Sequence, residues 1–101
     1  MELYQAEWCP HSHKVRQRLT ELGLEFVARQ VDADPTERPA LERVAGTNAI
    51  PVLVGDDGSI HCGEDDILEF LGQFQERPDA DSHREKARVE VPDFDEVKAR
   101  T

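Results

Sequence analysis

The stretch "IPVLVGDDGSIHC" (residues 50–62) restricts the fold more than any other part of this 101-residue chain. Residues 50–54 form a continuous apolar run, the pattern of a strand buried on both faces. The following Gly-Asp-Asp-Gly supplies residue types that tolerate the positive φ angles of a tight hairpin. Residues 59–62 then read as the returning strand. So short a connection permits only an adjacent, antiparallel pair.

Upstream the apolar period changes. Residues 2–6 (ELYQA) read as a short strand centred on Leu3 and Tyr4. Val15, Leu19 and Leu22 then recur at i, i+4 and i+7, an apolar stripe on one helical face. Pro10 suits the first turn of that helix and Gly23 its end, so the spacing predicts a helix over 10–22. Residues 24–32 carry Phe26, Val27 and Val31 and read as a second strand. A strand, a crossover helix and a strand make a parallel unit. Residues 34–46 read as a second helix with Asp34 and Glu37 as a capping pair, its regular part starting only near Pro39. After the hairpin, Ile67, Leu68, Leu71 and Phe74 mark a third helix. The order βαβαββα predicts an α/β domain: a mixed four-stranded sheet flanked by three helices.

This domain occupies residues 1–75. Residues 76–101 form a polar, charged extension in which only Val89, Val91, Phe94 and Val97 offer docking side chains. A short amphipathic piece at 94–97 packing on the body is the lesser reading. The net charge is −10, and residues 1–75 alone carry fourteen acidic against six basic groups. The charge argues against nucleic-acid and anionic-membrane partners. Glu2 and Glu7 interrupt any signal-peptide pattern, no apolar run reaches membrane-spanning length, and there are two cysteines. A cytoplasmic, monomeric protein with reduced thiols is expected.

Cys9 stands immediately before the first predicted helix. There it faces unpaired backbone N–H groups and the positive end of the helix dipole, both of which favour a thiolate. Ser12, one turn on, can donate to the sulfur, and His11 and Lys14 can add positive charge. A buried structural cysteine would want apolar neighbours, which "PHSH" does not supply. Cys9, His11, His13 and His61 invite a metal reading, but His11 and His13 diverge by about 200° on a helix, so no metal is expected.

Taken together, "CPHS" at a helix start, "AIPVLV" and "CGEDDI" resemble the glutaredoxin family and the glutathione-binding N-terminal domain of glutathione S-transferases. Both have the thioredoxin-like fold, and the resemblance covers about residues 2–74. It implies that Cys9, with Pro10 and Ser12 completing the C-P-x-S motif, attacks a mixed disulfide. It implies a cis bond before Pro51 and a backbone contact from Ile50 to the cysteinyl part of glutathione. Glu64, Asp65 and Asp66 would take the γ-glutamyl end, Asp65 foremost, and His11 is counted with these ligand-binding residues. Without a ligand, the three acids read simply as helix caps.

Ala6 stands where many glutaredoxins carry a lysine, and residues 47–49 (TNA) where the family often has a basic residue. Asn48 and Arg16 are the candidate substitutes. Cys62 replaces a family glycine and reads as a late resolving thiol or a small buried hydrophobe. The implied activity is that of a monothiol disulfide oxidoreductase. Its substrates would be protein mixed disulfides, with no bound cofactor and with glutathione or another low-molecular-weight thiol as co-substrate. The alternative is a non-catalytic thiol-binding module like the transferase N-terminal half.

Overall fold

The computed structural model describes residues 1–91. Four strands, β1 (Glu2–Gln5), β2 (Val27–Gln30), β3 (Val52–Val54) and β4 (Ile60–Cys62), form one sheet in the order β2-β1-β3-β4. β1 pairs parallel with β2 and antiparallel with β3, and β3 pairs antiparallel with β4. The helices are α1 (Pro10–Leu22), α2 (Pro39–Ala45), α3 (Glu64–Leu71) and α4 (Ala80–Glu90).

The register explains the two cores. Leu3 pairs with Leu53, and both lie on the sheet face covered by α1 and α3. There they meet Val15, Leu19, Ile67 and Leu71, all fully buried. Tyr4 pairs with Val52 on the opposite face, where Leu41 of α2 covers them. Each fully buried aliphatic side chain contributes roughly 1.5–3 kcal/mol. The α1/α3 face, with seven buried apolar residues against three, therefore supplies most of the apolar stabilisation.

Helix α1 has the bounds its sequence indicates, because both ends are capped. Gly23 adopts φ 66°, a left-handed conformation that costs glycine little, and its N–H closes on the carbonyls of Leu19 and Thr20. The second predicted helix is split. Asp34 caps a 3-10 turn over Pro35–Glu37 by accepting from the Thr36 N–H at 3.0 Å, and α2 begins only at Pro39. The second predicted strand is shorter than residues 24–32. Phe26 and Val31 lie outside it and pack onto the two cores, while all four β2 residues are exposed at the sheet edge.

Helix α4 is the main difference from the sequence-based expectation of three helices and a loose extension. It packs against α1 although only Ala80 is buried. Ions hold it in place of an apolar stripe. The carboxylate of Glu21, buried on α1, accepts from Arg18 and Arg84 at 2.9 Å each. Glu76 accepts from the same two arginines at 2.6 and 2.9 Å, and Arg84 also pairs with Asp81. The two guanidiniums hold the Glu76 carboxyl down to about 2 from its ordinary 4.5. The expected contact at residues 94–97 lies outside the described residues.

Candidate functional site

Cys9 is the N-cap residue of α1, with extended backbone angles (φ −80°, ψ 118°). Its Sγ accepts from the Ser12 N–H at 3.4 Å, so the sulfur takes the place that an Asp or Ser oxygen takes in most caps. No acidic residue stands in the first turn of α1, so none of the helix's own side chains compensates its positive end. Cys9 is only 5% exposed. Ser12 is fully buried, and its Oγ has no hydrogen-bond partner among the described residues. An unpaired buried hydroxyl carries a desolvation penalty that a new acceptor, such as a thiolate, relieves.

A second helix start lies across from the first. Gly63 caps α3 with φ 89°, and its N–H donates to the Pro51 carbonyl at 2.9 Å. This bond ties α3 to the loop in which the Ile50–Pro51 peptide bond is cis. Glu64 reaches back to α1, its carboxylate 2.7 Å from His11 Nδ1 and 3.9 Å from Lys14 Nζ. Between the two helix starts lies a cleft of about 520 Å³, within the usual range for small-molecule sites.

All six residues assigned to ligand binding from the sequence line this cleft: His11, Ile50, Pro51, Glu64, Asp65 and Asp66. Lys14, Cys62 and Gly63 complete the wall. Cys9, Pro10 and Ser12 are not among the lining residues. Asp65 and Asp66 are exposed and form no ion pair among the described residues, whereas Glu64 is held by two bases. Cys62 is exposed, so it is not a small buried hydrophobe.

Neither candidate substitute for the missing basic residue lines the cleft. Arg16 hydrogen-bonds Gln5 and lies 3.3 Å from the Glu7 carboxylate. The Asn48 carbonyl accepts from Arg38 at 2.7 Å. Sequence reasoning missed Arg38. It is buried and also donates to the carbonyls of Asp32 and Ala33, fixing the loop that leads into Pro51. Its one sequence signal is a basic residue wedged between Pro35 and Pro39, where the helix pattern breaks. His61 stacks on Phe70 at 3.9 Å and hydrogen-bonds Ser59 at 2.7 Å. No three His, Cys, Asp or Glu side chains among the described residues are grouped to hold a metal ion. No described helix is long and apolar enough to cross a membrane.

A β2-β1-β3-β4 sheet, a helix capped by cysteine and a proline loop opposite it define a thioredoxin-like domain. Residues 8–73 match the family model of the glutathione S-transferase N-terminal domain. The chain belongs to that family. Among solved structures it is similar to a glutathione S-transferase domain-containing protein of Marinobacter aquaeolei VT8. That match has 30% identity and a TM-score of 0.63, over 74% of this chain and 39% of the other. A glutathione S-transferase of Rhodospirillum rubrum F11 matches at 27% identity and TM-score 0.61, over 71% of this chain and 32% of the other. Glutaredoxin 2 of Salmonella typhimurium, solved with glutathione, shares the fold at 18% identity and TM-score 0.64, over 89% and 44%. The chain thus spans well under half the length of these proteins. No curated protein matches.

Proposed function

We propose that this chain is a monothiol, glutaredoxin-like disulfide oxidoreductase. The Cys9 thiolate attacks the small-thiol sulfur of a protein mixed disulfide and the protein thiolate leaves; a second small thiol from solution then attacks the adduct, freeing the Cys9 thiolate and departing as the small-thiol disulfide. With Ser12 at the fourth position of the motif, the route needs one cysteine plus free thiol. The observation that carries the reading is the Cys9 sulfur set as the cap of α1, accepting from the Ser12 N–H with no competing carboxylate in the first turn. Glutathione as the small thiol rests on the transferase family and on the glutathione-bound glutaredoxin that shares the fold. Action as a cytoplasmic monomer, and residues 1–75 as the functional unit, belong to the same proposal.

The test is reduction of a peptide–glutathione mixed disulfide with excess reduced thiol. Cys9→Ser should fall to the uncatalysed rate, and Cys62→Ser should keep most of its activity. Activity retained in Cys9→Ser would end the proposal.

One observation favours a second reading, a thiol-binding module without redox turnover. Cys9 is buried, and it is Cys62 that lines the cleft. Alkylation of each cysteine as a function of pH separates the readings. A Cys9 that titrates like an ordinary free thiol supports the module, and one that alkylates at clearly lower pH supports the enzyme.

A further inference from the structure

Among the described residues, Arg38 is the one basic residue that the fold buries. Burying a guanidinium is costly unless its donors are met. Arg38 stands just before α2 but makes no side-chain capping bond there. Its side chain turns instead to three backbone carbonyls. Nε donates to Asp32 and Nη1 to Asn48, each at 2.7 Å, and Nη2 donates to Ala33 at 3.4 Å. Asp32 and Ala33 follow β2, whereas Asn48 leads through Ile50 and Pro51 into β3. The register puts the end of β2 and the start of β3 at one end of the sheet, with Gln30 beside Gln5 and Val52 beside Tyr4. The guanidinium fork thus ties together two loops that no backbone hydrogen bond joins among the described residues. On its other side the proline loop is held by α3, where Gly63 donates to the Pro51 carbonyl at 2.9 Å. Ile50 sits between these two holds and lines the cleft. Its N–H and carbonyl make no hydrogen bond to another backbone group among the described residues. They are the backbone groups of this loop left for a molecule in the cleft, and Arg38 fixes the chain two residues before them.

We infer that Arg38 is a positioning residue for thiol exchange: its carbonyl bonds hold the Ile50 backbone where it can pair with the amide groups of a peptide thiol. The inference rests on the reading of Cys9 as the exchanging thiol given above. Arg38 does not line the cleft and acts through Ile50. It carries no proton in the reaction, because a guanidinium stays charged. A lysine ammonium is a point charge and does not reproduce a planar fork that spans carbonyls of two loops. Backbone groups recognise amides, so the effect falls on thiols that contain amide bonds. In the exchange with oxidised glutathione, the Cys9 thiolate forms a bond to one sulfur and the original S–S bond breaks. The other half leaves with the electron pair as thiolate and takes a proton from water. Cys9 is oxidised to the mixed disulfide as that leaving sulfur is reduced.

The experiment compares two disulfides on the full chain: oxidised glutathione, which contains amide bonds, and bis(2-hydroxyethyl) disulfide, which has none. Mass spectrometry follows adduct formation on Cys9, and iodoacetamide alkylation against pH reports on the sulfur itself. In Arg38→Met, with circular dichroism verifying the fold, the ratio of the glutathione rate to the hydroxyethyl rate should fall at least about fivefold. The pH profile of Cys9 alkylation should stay at its wild-type position, because the sulfur draws on Ser12 and the start of α1. Arg38→Lys keeps the charge without the fork, so its ratio should still fall at least about twofold. If Arg38→Met does not fold, Arg38→Lys carries the test alone. A ratio that Arg38→Lys leaves at the wild-type value assigns any effect of Arg38→Met to net charge and overturns the inference. A parallel fall of both rates, with the alkylation profile shifted, marks a merely structural role and also overturns it. A folded wild type that forms no Cys9 adduct with either disulfide overturns the thiol-exchange reading itself, and this inference with it.

Discussion

Helices α1 and α3 start on opposite sides of one cleft, and their first turns are built in opposite ways. α1 has a sulfur as its cap and no acid in its first turn. α3 has a glycine as its cap, no side-chain capping bond, and Glu64, Asp65 and Asp66 in its first turn. Both ends carry the same partial positive charge from the helix dipole. At α3 that charge is already met by the chain's own carboxylates. At α1 it is left for a sulfur to use. The difference teaches that a helix N-terminus is not by itself an anion site. What matters is whether the first turn has spent its field on its own residues.

The cleft between the two starts exists only while α3 is held against the sheet. Ile67, fully buried one turn into α3, makes that attachment. Ile67→Ala should cost about 2–5 kcal/mol in urea unfolding, the largest stability effect proposed, because it removes core contacts and leaves a cavity. A loss below about 1 kcal/mol would mean that α3 is not anchored by this core. The cross-cleft pair is the next test. Glu64→Gln removes the ionic contact with His11 and Lys14, whose side chains are 63% and 64% exposed. Its cost should therefore be no more than about 1 kcal/mol. The more telling result is functional: with Glu64 neutral, the Lys14 charge is released into the cleft, and adduct formation with an anionic disulfide such as oxidised glutathione should speed up relative to the wild type. A smaller change still separates the two caps. Cys9→Ser keeps a capping oxygen, so stability should move by less than about 0.5 kcal/mol while exchange is lost.

Much of this was legible in the sequence where one local rule acted alone. α1 could be bounded to the residue because Pro10 and Gly23 mark its ends and Val15, Leu19 and Leu22 its inner face. Five of the nine cleft-lining residues, Ile50, Pro51, Glu64, Asp65 and Asp66, could be placed together because two short motifs, around Pro51 and after Cys62, fold to the same end of the sheet, and His11 joins them from the start of α1. What escaped was set by contacts distant in sequence. Helix α4 has no apolar stripe to announce it, because its attachment is the pairing of Arg84 with Glu21, 63 residues earlier. Arg38 gave no functional signal because its partners are backbone carbonyls, which every residue possesses. The burial of Cys9 was also hidden, since the polar run "PHSH" suggested an open setting while Ser12 turned inward.

The smallest expected effect concerns the far end of α1, where the carboxylates are paired instead of spent on a helix dipole. Glu76 is lowered from 4.5 to about 2 by hydrogen bonds from Arg84 and then Arg18. A carboxyl depressed in the folded state stabilises that state fully above its unfolded value and loses the contribution as pH falls through the folded one. The attachment of α4 should therefore hold above pH 4.5 and weaken progressively toward about 2. Far-ultraviolet circular dichroism should show a partial loss of helix over that interval, confined to one short surface helix. Arg84→Gln removes the larger cause of the shift, so its transition should move up toward the ordinary carboxylate range. In that variant at neutral pH, Cys9 alkylation should match the wild type, because the cap at the start of α1 draws on Ser12 and the helix dipole alone. A change in Cys9 reactivity would show that the two ends of α1 are coupled, and the contrast between its first turn and that of α3 would then depend on the ion pairs at its far end.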